Sequence, residues 1–476
     1  MEKTAIRSKG EEIISAANSA RWELGADFHD SIVESIYADA SHIAKKTVKQ
    51  TGDKEAYSFD LKVDKIVTSR WLGFPLMFLL LTVVFWLTVA GANYPSGLLS
   101  SVLIDKFHPA LKHFAASINM PWWLDGVLID GAYLAMAWVI SVMLPPMAIF
   151  FPIFTLLEDL GYLPRVAFNM DNLFRKAGAH GKQALTMSMG FGCNAAGVVA
   201  ARVIDSPRER LIAIITNNFS LCNGRWPTQI LIATIFIGGI VSPQVAGFVS
   251  AGAVVGIAVL GIFFSLVISW GLSRSVLKGE ASSFSLELPP YRPPRILQTL
   301  YTSLIDRTLI VLWRAIVFAA PAGVIIWLVA NIHIGDLSLA EHFMNWSNPF
   351  AALFGLNGVI LLAYIIAIPA NEIVIPTILM LTVLSVNIAG VGAGSGVMFE
   401  MDVADTANLL HAGGWTLLTG VNLMLFSLLH NPCSTTIMTI YKETKSAKWT
   451  LVSTFLPVVL GFIVTFFTTQ IWYLFH

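Results

Sequence analysis

The sequence predicts an all-α polytopic membrane protein with an inverted-topology repeat, in which a re-entrant hairpin followed by a broken transmembrane helix occurs twice. An N-terminal cytosolic helical stub precedes the repeat. Composition supports this fold class, because 55% of the 476 residues are hydrophobic and only 13% are charged, against about a quarter charged in an ordinary soluble domain. Long apolar runs, each able to cross a hydrocarbon core of about 30 Å, support it as well. So does the uneven distribution of Lys and Arg between the loops.

The first 70 residues differ from the rest of the chain. They are polar, and Ile32, Ile36 and Ile43 recur at helical spacing. They lack the short apolar core of a signal peptide. Residues 1–70 are therefore predicted to form a cytosolic helical segment that enters the membrane at Trp71.

Two membrane regions are predicted, each with one copy of the repeat. Residues 71–272 and 308–476 form these regions, and residues 273–307 form a cytosolic linker between them. Uninterrupted apolar runs are predicted to span the membrane at 74–90, 135–157, 246–270, 309–330 and 451–474.

Charge asymmetry orients the segments, because Lys and Arg collect in cytoplasmic loops. Basic residues predicted inside lie at 62–70, 165–182, 202–210, 274–307 and 442–448. Segments without Lys or Arg, predicted outside, are 238–245, 331–350 and 385–415. The loop 93–123 is also predicted outside, because it follows the first span, although it carries Lys106 and Lys112.

Four apolar segments are interrupted by polar residues, glycine or proline. The segment 183–201 has basic flanks at both ends and is predicted to be a hairpin entering from the cytoplasm, whereas 354–384, broken at "IPANE", has none and is predicted to enter from outside. The segments 211–237, broken at "SLCNGRWP", and 416–441, broken at "HNPC", are predicted to cross in opposite directions. This order is typical of secondary transporters, whose substrate lies near the midplane between broken helices.

The breaks carry candidate ligands for a divalent transition metal. These residues are Cys193 and Asn194; Cys222 and Asn223; Asn371 and Glu372; and His430, Asn431 and Cys433. Thiolate, imidazole, carboxylate and amide oxygen suit Fe(II), Mn(II) or Zn(II) better than Mg or Ca, which prefer oxygen alone. Backbone roles are predicted for the gate residues Gly190, Gly192, Pro227, Pro369 and Pro432, because glycine widens the accessible conformations and proline removes helix hydrogen bonds.

Each candidate also has a structural alternative. A cysteine in a helix is often a small packing residue. A carboxylate in an apolar run is unfavourable in free energy, so Glu372 could pair with Arg225. His430 could cap a helix. Met187 and Met189 are interpreted as core residues.

Several classes of function lack support. The formal net charge is zero and gives no sign of nucleic-acid binding, and three cysteines are too few for a disulfide framework. Gly181 and Lys182 do not belong to a phosphate loop, because Lys176 and Gln183 occupy positions that the motif reserves for Gly and Ser or Thr. The chain carries neither an HExxH nor a CxxC motif. We therefore expect no enzyme, no catalytic residues, no nucleotide site and no tightly bound cofactor.

Longer motifs resemble the membrane region of the ferrous iron transport protein B family over about residues 25–470. They are "VDKIVTSRWLGFPLM", "LEDLGYLPRVAFNMDNLFRKAGAHGK", "GFGCNAAGVVAARVIDSPRERL" and "NPCSTTIMTIYKETKSAKWTL". The resemblance implies two inverted gate repeats and Fe(II) uptake across a prokaryotic cytoplasmic (inner) membrane, with the N-terminus in the cytosol. It also implies that Cys193 and Cys222 are iron-path thiols and that Glu372 stands where the family usually has a Lys-Glu pair.

The sequence departs from the family pattern at several points. Family members carry an N-terminal GTP-binding domain and a helical domain, of which only the last helices are expected here, in residues 11–50. "NAAG" lacks the usual proline, "ANE" replaces the Lys-Glu pair, and His430 with Asn431 replaces Tyr-Thr. The expected partners are a separate GTP-binding protein, a small cytosolic accessory protein, membrane lipid and, as an open question, further copies of the chain. Two rivals stay open: a carrier of nucleosides or organic anions with the same fold, and a non-transporting membrane assembly protein.

Overall fold

The computed structural model describes residues 28–47, 62–69, 71–278, 295–386 and 401–475. Parts of the predicted cytosolic segment (1–27 and 48–61), most of the predicted linker (279–294) and the stretch 387–400 lie outside the described residues.

The described chain is almost entirely helical. A short helix at 62–67 precedes the second of the labelled α-helices. The first half of the chain contains α1 (Phe28–Thr47), α2 (Gly73–Val102), α3 (His108–Ser117), α4 (Trp122–Asp125), α5 (Leu134–Asp159), α6 (Tyr162–Lys176), α7 (Gln183–Gly192), α8 (Asn194–Ala200), α9 (Pro207–Thr216), α10 (Trp226–Ile232) and α11 (Pro243–Arg274). The second half contains α12 (Ile296–Thr302), α13 (Ile310–Asn331), α14 (Leu339–Ala352), α15 (Gly358–Ile366), α16 (Val374–Val386), α17 (Val403–Ala412), α18 (Leu417–Leu429), α19 (Ser434–Thr444) and α20 (Ala447–Phe475).

Short non-α segments join several of these helices. The π-helical segments are Leu103–Phe107, Gly126–Tyr133, Ala233–Ile237 and Ser303–Leu309. The 3-10 segments are Ala201–Val203, Asn217–Phe219, Gly238–Ile240 and Asn371–Ile373. Two short antiparallel strands, β1 (His333–Ile334) and β2 (Leu337–Ser338), pair His333 with Ser338 and Ile334 with Leu337.

Five helices in the described residues are long and apolar enough to cross a membrane, as the sequence predicts. They are Gly73–Ser117, Trp122–Asp159, Pro243–Arg274, Ile296–Asn331 and Ala447–Phe475, and each contains one predicted span. The chain is therefore a multi-pass, all-α membrane protein.

The predicted loop 93–123 is wrong over most of its length, because α2 continues through a π-helical segment into α3. Two ionisable residues of this stretch, Lys112 and His108, pair with carboxylates of the segment that follows it. Lys112 Nζ donates to Asp125 (2.7 Å) and Asp130 (2.6 Å), and His108 Nε2 lies 2.9 Å from Asp130 Oδ1. These contacts hold α3 against the start of the next span.

All four predicted breaks occur. Cys193 separates α7 from α8, and residues 220–225 separate the 3-10 turn after α9 from α10. Residues 367–370 separate α15 from the 3-10 turn before α16, and residues 430–433 separate α18 from α19. Local signals start these helices: Ser206 Oγ accepts from Glu209 N before α9, and Asn357 Oδ1 accepts from Ile360 N (2.9 Å) before α15.

One large apolar core surrounds the breaks. Its members come from α5, α13, α15, α18 and neighbouring elements, and they include Phe150, Ala319 and Leu423. Met187 and Met189 are buried in hydrophobic clusters, which confirms their interpretation as core residues.

Candidate functional site

Each repeat consists of a hairpin (residues 183–201 or 354–384) and a broken crossing helix (residues 211–237 or 416–441). Backbone hydrogen bonds connect each crossing helix to the hairpin of its own repeat. Asn223 N donates to Gly192 O (3.2 Å) in the first repeat, and Ser434 N donates to Ile368 O (2.9 Å) in the second. The polar backbone of each break is thus partly satisfied by the other, as irregular backbone inside a membrane requires.

The two hairpins have nearly the same backbone conformation at their breaks. Cys193 has φ −154° and ψ 121°, and Ala370 has φ −151° and ψ 123°. An asparagine follows each of them, Asn194 and Asn371. The equivalence extends to the crossing helices, where a cysteine, Cys222 or Cys433, immediately precedes the residue that donates to the hairpin.

The breaks meet around a small cavity of about 30 Å³. Its lining includes these predicted site residues: Gly192, Cys193, Asn194, Cys222, Asn223, Pro369, Asn371, Glu372 and Cys433. Cys222 is buried, while Cys193 and Cys433 are half-buried. The cavity therefore collects all three thiols of the chain with one carboxylate and three carboxamides.

Arg225 holds the broken backbone together behind the cavity. Its guanidinium, 1% exposed, donates to the carbonyl oxygens of Asn218 (2.9 Å), Leu428 (3.1 Å), His430 (3.3 Å) and Asn431 (3.3 Å). These carbonyls lie at the ends of α9 and α18, which have lost helical donors. Arg225 thus connects helix ends of the two repeats, and we call this residue with its four carbonyl contacts the cross-repeat staple.

Asparagine side chains continue this network. Asn217 Nδ2 donates to Asn194 O (2.8 Å), and Asn218 Nδ2 donates to His430 O (3.0 Å). With its amide turned so that nitrogen faces the carbonyls, Asn194 donates to Gly190 O (3.0 Å) and Ser220 O (3.2 Å). A side chain on Gly190 would collide with Asn217 Oδ1, 2.5 Å from the added carbon, which explains why glycine occupies this position.

Glu372 faces the cavity at the second hairpin. Its carboxylate packs on Gly224, where an added Cβ would lie 2.5 Å from Oε1, and its carbonyl accepts from Trp138 Nε1 (3.4 Å). Among the described residues, no ion pair joins Glu372 to Arg225, whose partners are backbone carbonyls and Asn218. The salt-bridge alternative is therefore wrong, because the guanidinium is already occupied by the helix ends.

Asn371 bridges the two crossing helices. Its Nδ2 lies 3.6 Å from Cys222 Sγ, and its Oδ1 lies 3.0 Å from His430 Nε2. His430 Nδ1 lies 2.8 Å from Ser427 O in the last turn of α18. His430 therefore caps its helix and also contacts the site through Asn371.

Several predicted residues lie outside the cavity lining. Asn431 Nδ2 donates to Pro432 O (3.2 Å) within its own break. His430 is buried behind Asn371, and Pro227 is exposed in the first turn of α10. Gly190 is buried in the last turn of α7, and Pro432 is buried in the fourth break. Their contribution is to backbone geometry, with His430 acting through its neighbour.

Some residues that line the cavity are not among the site residues predicted from the sequence. Met143 and Met147 of α5, and Thr435 and Thr436 of α19, line the cavity. Cys433 Sγ lies 3.2 Å from Thr436 Oγ1. The spacing of Met143 and Met147 puts them on one helix face beside Pro145 and Pro146, which is the signal that could have identified them.

The described residues do not form a complete metal site in this conformation. Within the described ranges, no three His, Cys, Asp or Glu side chains come close enough together to hold a metal ion. The ligand roles of the cavity residues therefore stay predictions.

Two family models match the chain. The nucleoside recognition (Gate) model matches residues 140–238 and 312–447, and these two matches enclose the first and second pair of breaks. The ferrous iron transport protein B C-terminus model matches residues 254–306.

Curated relatives carry a consistent name. The Fe(2+) transporter FeoB of Staphylococcus aureus is 28% identical over 432 residues, which cover 89% of this chain and 60% of the relative. The Fe(2+) transporter FeoB of Campylobacter jejuni is 26% identical over 430 residues, 86% of this chain and 65% of the relative. The Fe(2+) transport protein A/Fe(2+) transporter FeoB fusion protein of Porphyromonas gingivalis is 32% identical over 299 residues, 60% of this chain and 33% of the relative. The chain thus spans less than two thirds of each of these relatives, and no solved structure matches it.

Proposed function

We propose that this chain, which belongs to the ferrous iron transport protein B family, conducts ferrous iron or a similar divalent transition metal across the prokaryotic cytoplasmic membrane. The observation that carries the proposal is the cavity in which four helix breaks bring together Cys193, Cys222, Cys433 and Glu372. The names of the relatives support the choice of Fe(II).

The chemistry of the lining suits this cargo. Fe(II) is a borderline cation that accepts sulfur, nitrogen and oxygen ligands, whereas Mg and Ca prefer oxygen alone. The first repeat supplies two thiols and two amides, and the second supplies one thiol, one amide and the carboxylate of Glu372. A cation in the cavity would therefore contact both repeats. Movement of one repeat against the other would then open the cavity alternately to either side.

Partners of the whole transport system belong to the same proposal. A small accessory protein is supported by the Porphyromonas gingivalis fusion relative, whose name joins Fe(2+) transport protein A to the transporter. A separate GTP-binding protein would act on the cytosolic side. The exposed face of α1, with Ile36 and Ile43 each 60% exposed, offers a surface for such a partner.

The rival functions receive less support. A nucleoside carrier is favoured only by the description of the Gate model, while the curated relatives are named for Fe(2+). A non-transporting assembly protein would have no need of a carboxylate and three thiols around one internal cavity.

Uptake of Fe(II) into proteoliposomes tests the proposal. We expect the Cys193→Ser/Cys222→Ser protein to lose at least about 90% of the initial uptake rate, because a neutral hydroxyl is a poor replacement for a thiolate toward a borderline cation. Met189→Leu, which removes a buried sulfur outside the cavity lining, is the matched control and should transport normally.

Two outcomes would contradict the proposal. Uptake by the double variant at the rate of the unaltered protein would remove the thiols from the path. Uptake of nucleosides but not Fe(II) by the unaltered protein would replace the cargo.

A further inference from the structure

Three side chains from three different broken segments form a continuous chain beside the cavity. Cys222 comes from the first crossing helix, Asn371 from the second hairpin and His430 from the second crossing helix. As placed, Asn371 Nδ2 lies 3.6 Å from Cys222 Sγ and Asn371 Oδ1 lies 3.0 Å from His430 Nε2. Asn371 and His430 are 4% and 3% exposed, so water does not compete for these contacts.

The partners of the His430 ring determine where its hydrogen lies. Nδ1 lies 2.8 Å from Ser427 O, and a carbonyl oxygen can only accept, so Nδ1 carries the hydrogen. A neutral imidazole then presents a lone pair at Nε2. The ring of Tyr364 packs edge-on against His430 with centroids 4.6 Å apart, which holds the imidazole in this orientation.

A lone pair at Nε2 decides which end of the Asn371 amide faces it. The two ends of a carboxamide have almost the same shape, and hydrogen-bond partners determine which is which. An acceptor at Nε2 requires the Asn371 NH₂ group as donor. This requirement turns the amide end for end from its placed orientation, so that its oxygen lies toward Cys222 Sγ and accepts from the thiol.

We propose that His430 is a positioning residue that fixes the Asn371 amide with its oxygen toward Cys222, so that one sulfur and one oxygen face the cavity together. The proposal rests on the proposed function, since the pair is useful only if a cation passes. The opposite amide orientation would point an NH₂ group, the positive end of the amide dipole, at the place where the cation meets Cys222.

The consequence of removing His430 follows from the same contacts. Without an acceptor at this position the amide is free to turn, and its donor end repels the cation. Residues that orient a metal ligand typically change metal affinity by about 10 to 100-fold when they are replaced. We therefore expect His430→Leu to raise the KM for Fe(II) uptake about 10-fold, and His430→Gln, whose side-chain oxygen supplies an acceptor near the place of Nε2, to restore most of it.

A double-mutant cycle with Asn371→Leu separates orientation from simple packing. Leucine is close to asparagine in size and has no amide for His430 to orient. We expect His430→Leu to change KM less than about twofold in the Asn371→Leu background. Equal fold-changes in the two backgrounds would overturn the proposal.

Infrared spectroscopy of the purified protein gives a readout that does not depend on transport. The S–H stretch of Cys222, identified by its loss in Cys222→Ser, should lie at lower frequency in the unaltered protein and in His430→Gln than in His430→Leu, because only an amide oxygen accepts from the thiol. An unchanged S–H stretch in His430→Leu would overturn the proposal even if transport fell. A protein that bound and moved no Fe(II) would contradict the proposed function, while the infrared result would still decide the amide orientation.

Discussion

At the scale of single residues, Cys193 and Ala370 show how the two repeats differ. Their backbone conformations agree within a few degrees, and an asparagine follows each, yet one carries a thiol and the other a methyl group. The pseudo-symmetric backbone is therefore lined by unlike side chains. The cation would meet two thiols from the first repeat, and a thiol and a carboxylate from the second.

His180 gives a prediction on pH. It lies between α6 and α7 with 5% of its surface exposed, and its Nδ1 accepts from the Lys182 backbone N–H (3.0 Å). Burial lowers the pKa of His180 below its ordinary value of 6.5, against the opposing effect of Glu209. The unfolded chain therefore binds a proton first as the pH falls, so the stabilisation present above about pH 6.5 is lost below it.

We expect the melting temperature of the purified protein to fall between about pH 7.5 and 5.5, and to fall less in His180→Asn. The Asn side chain retains an acceptor for the Lys182 N–H and does not titrate in this range. Differential scanning fluorimetry at several pH values measures the difference, and parallel curves for the two proteins would contradict it.

At the scale of elements, the helical segments of the crossing helices end where their backbone carbonyls accept hydrogen bonds from other elements of the protein. The last carbonyls of α18 accept from Arg225, 203 residues away from Leu428 in sequence, and not from a following turn. The hairpins use the same principle, because Gly192 O and Ile368 O accept from the crossing helices. Each break is thus stable only when the other elements are in place.

Arg225→Lys tests the staple. A lysine ammonium keeps the charge but lacks the planar fork that reaches several carbonyls at once. We expect a loss of about 2–4 kcal/mol in the free energy of unfolding, because buried carbonyls lose their donor. Arg274→Lys is the matched control: Arg274 is exposed and lies over the Trp270 ring, 4.7 Å from its centroid, so lysine should cost less than about 1 kcal/mol. Thermal unfolding in detergent compares them, and equal stability of the two variants would be inconsistent with the staple.

At the scale of the whole molecule, the two Gate matches, residues 140–238 and 312–447, each contain one hairpin and one broken helix. Charge asymmetry predicts that the two copies are inverted in the membrane. An inverted pair places the four breaks at one depth, which is the arrangement expected for a transport path.

Labelling of single cysteines tests this inversion. Lys176, before the first hairpin, and Ala412, before the second crossing helix, are both exposed. We expect Lys176→Cys to react with a membrane-impermeant maleimide from the cytoplasmic side and Ala412→Cys from the outside, in vesicles of known orientation. The unaltered protein, whose three thiols line the internal cavity, is the control. Labelling of both positions from the same side would contradict the inverted repeat.

The spans and the positions of the breaks could be predicted from the sequence alone. They depend on local properties, namely the length of an apolar run and the presence of glycine, proline or amide side chains within it. The predicted loop 93–123 failed because the pairing of Lys112 with Asp125 and Asp130 is made between helices, and an isolated stretch of sequence does not reveal it.

The sequence by itself determined the membrane architecture, the four breaks and the set of thiol, amide and carboxylate side chains that they carry. Only the tertiary structure decided which of these face the cavity, that Arg225 serves helix ends and not Glu372, and that His430 reaches the site through Asn371. The reason is physical: hydropathy and backbone preference act over a few residues, whereas these contacts join residues 59 to 206 positions apart in the sequence.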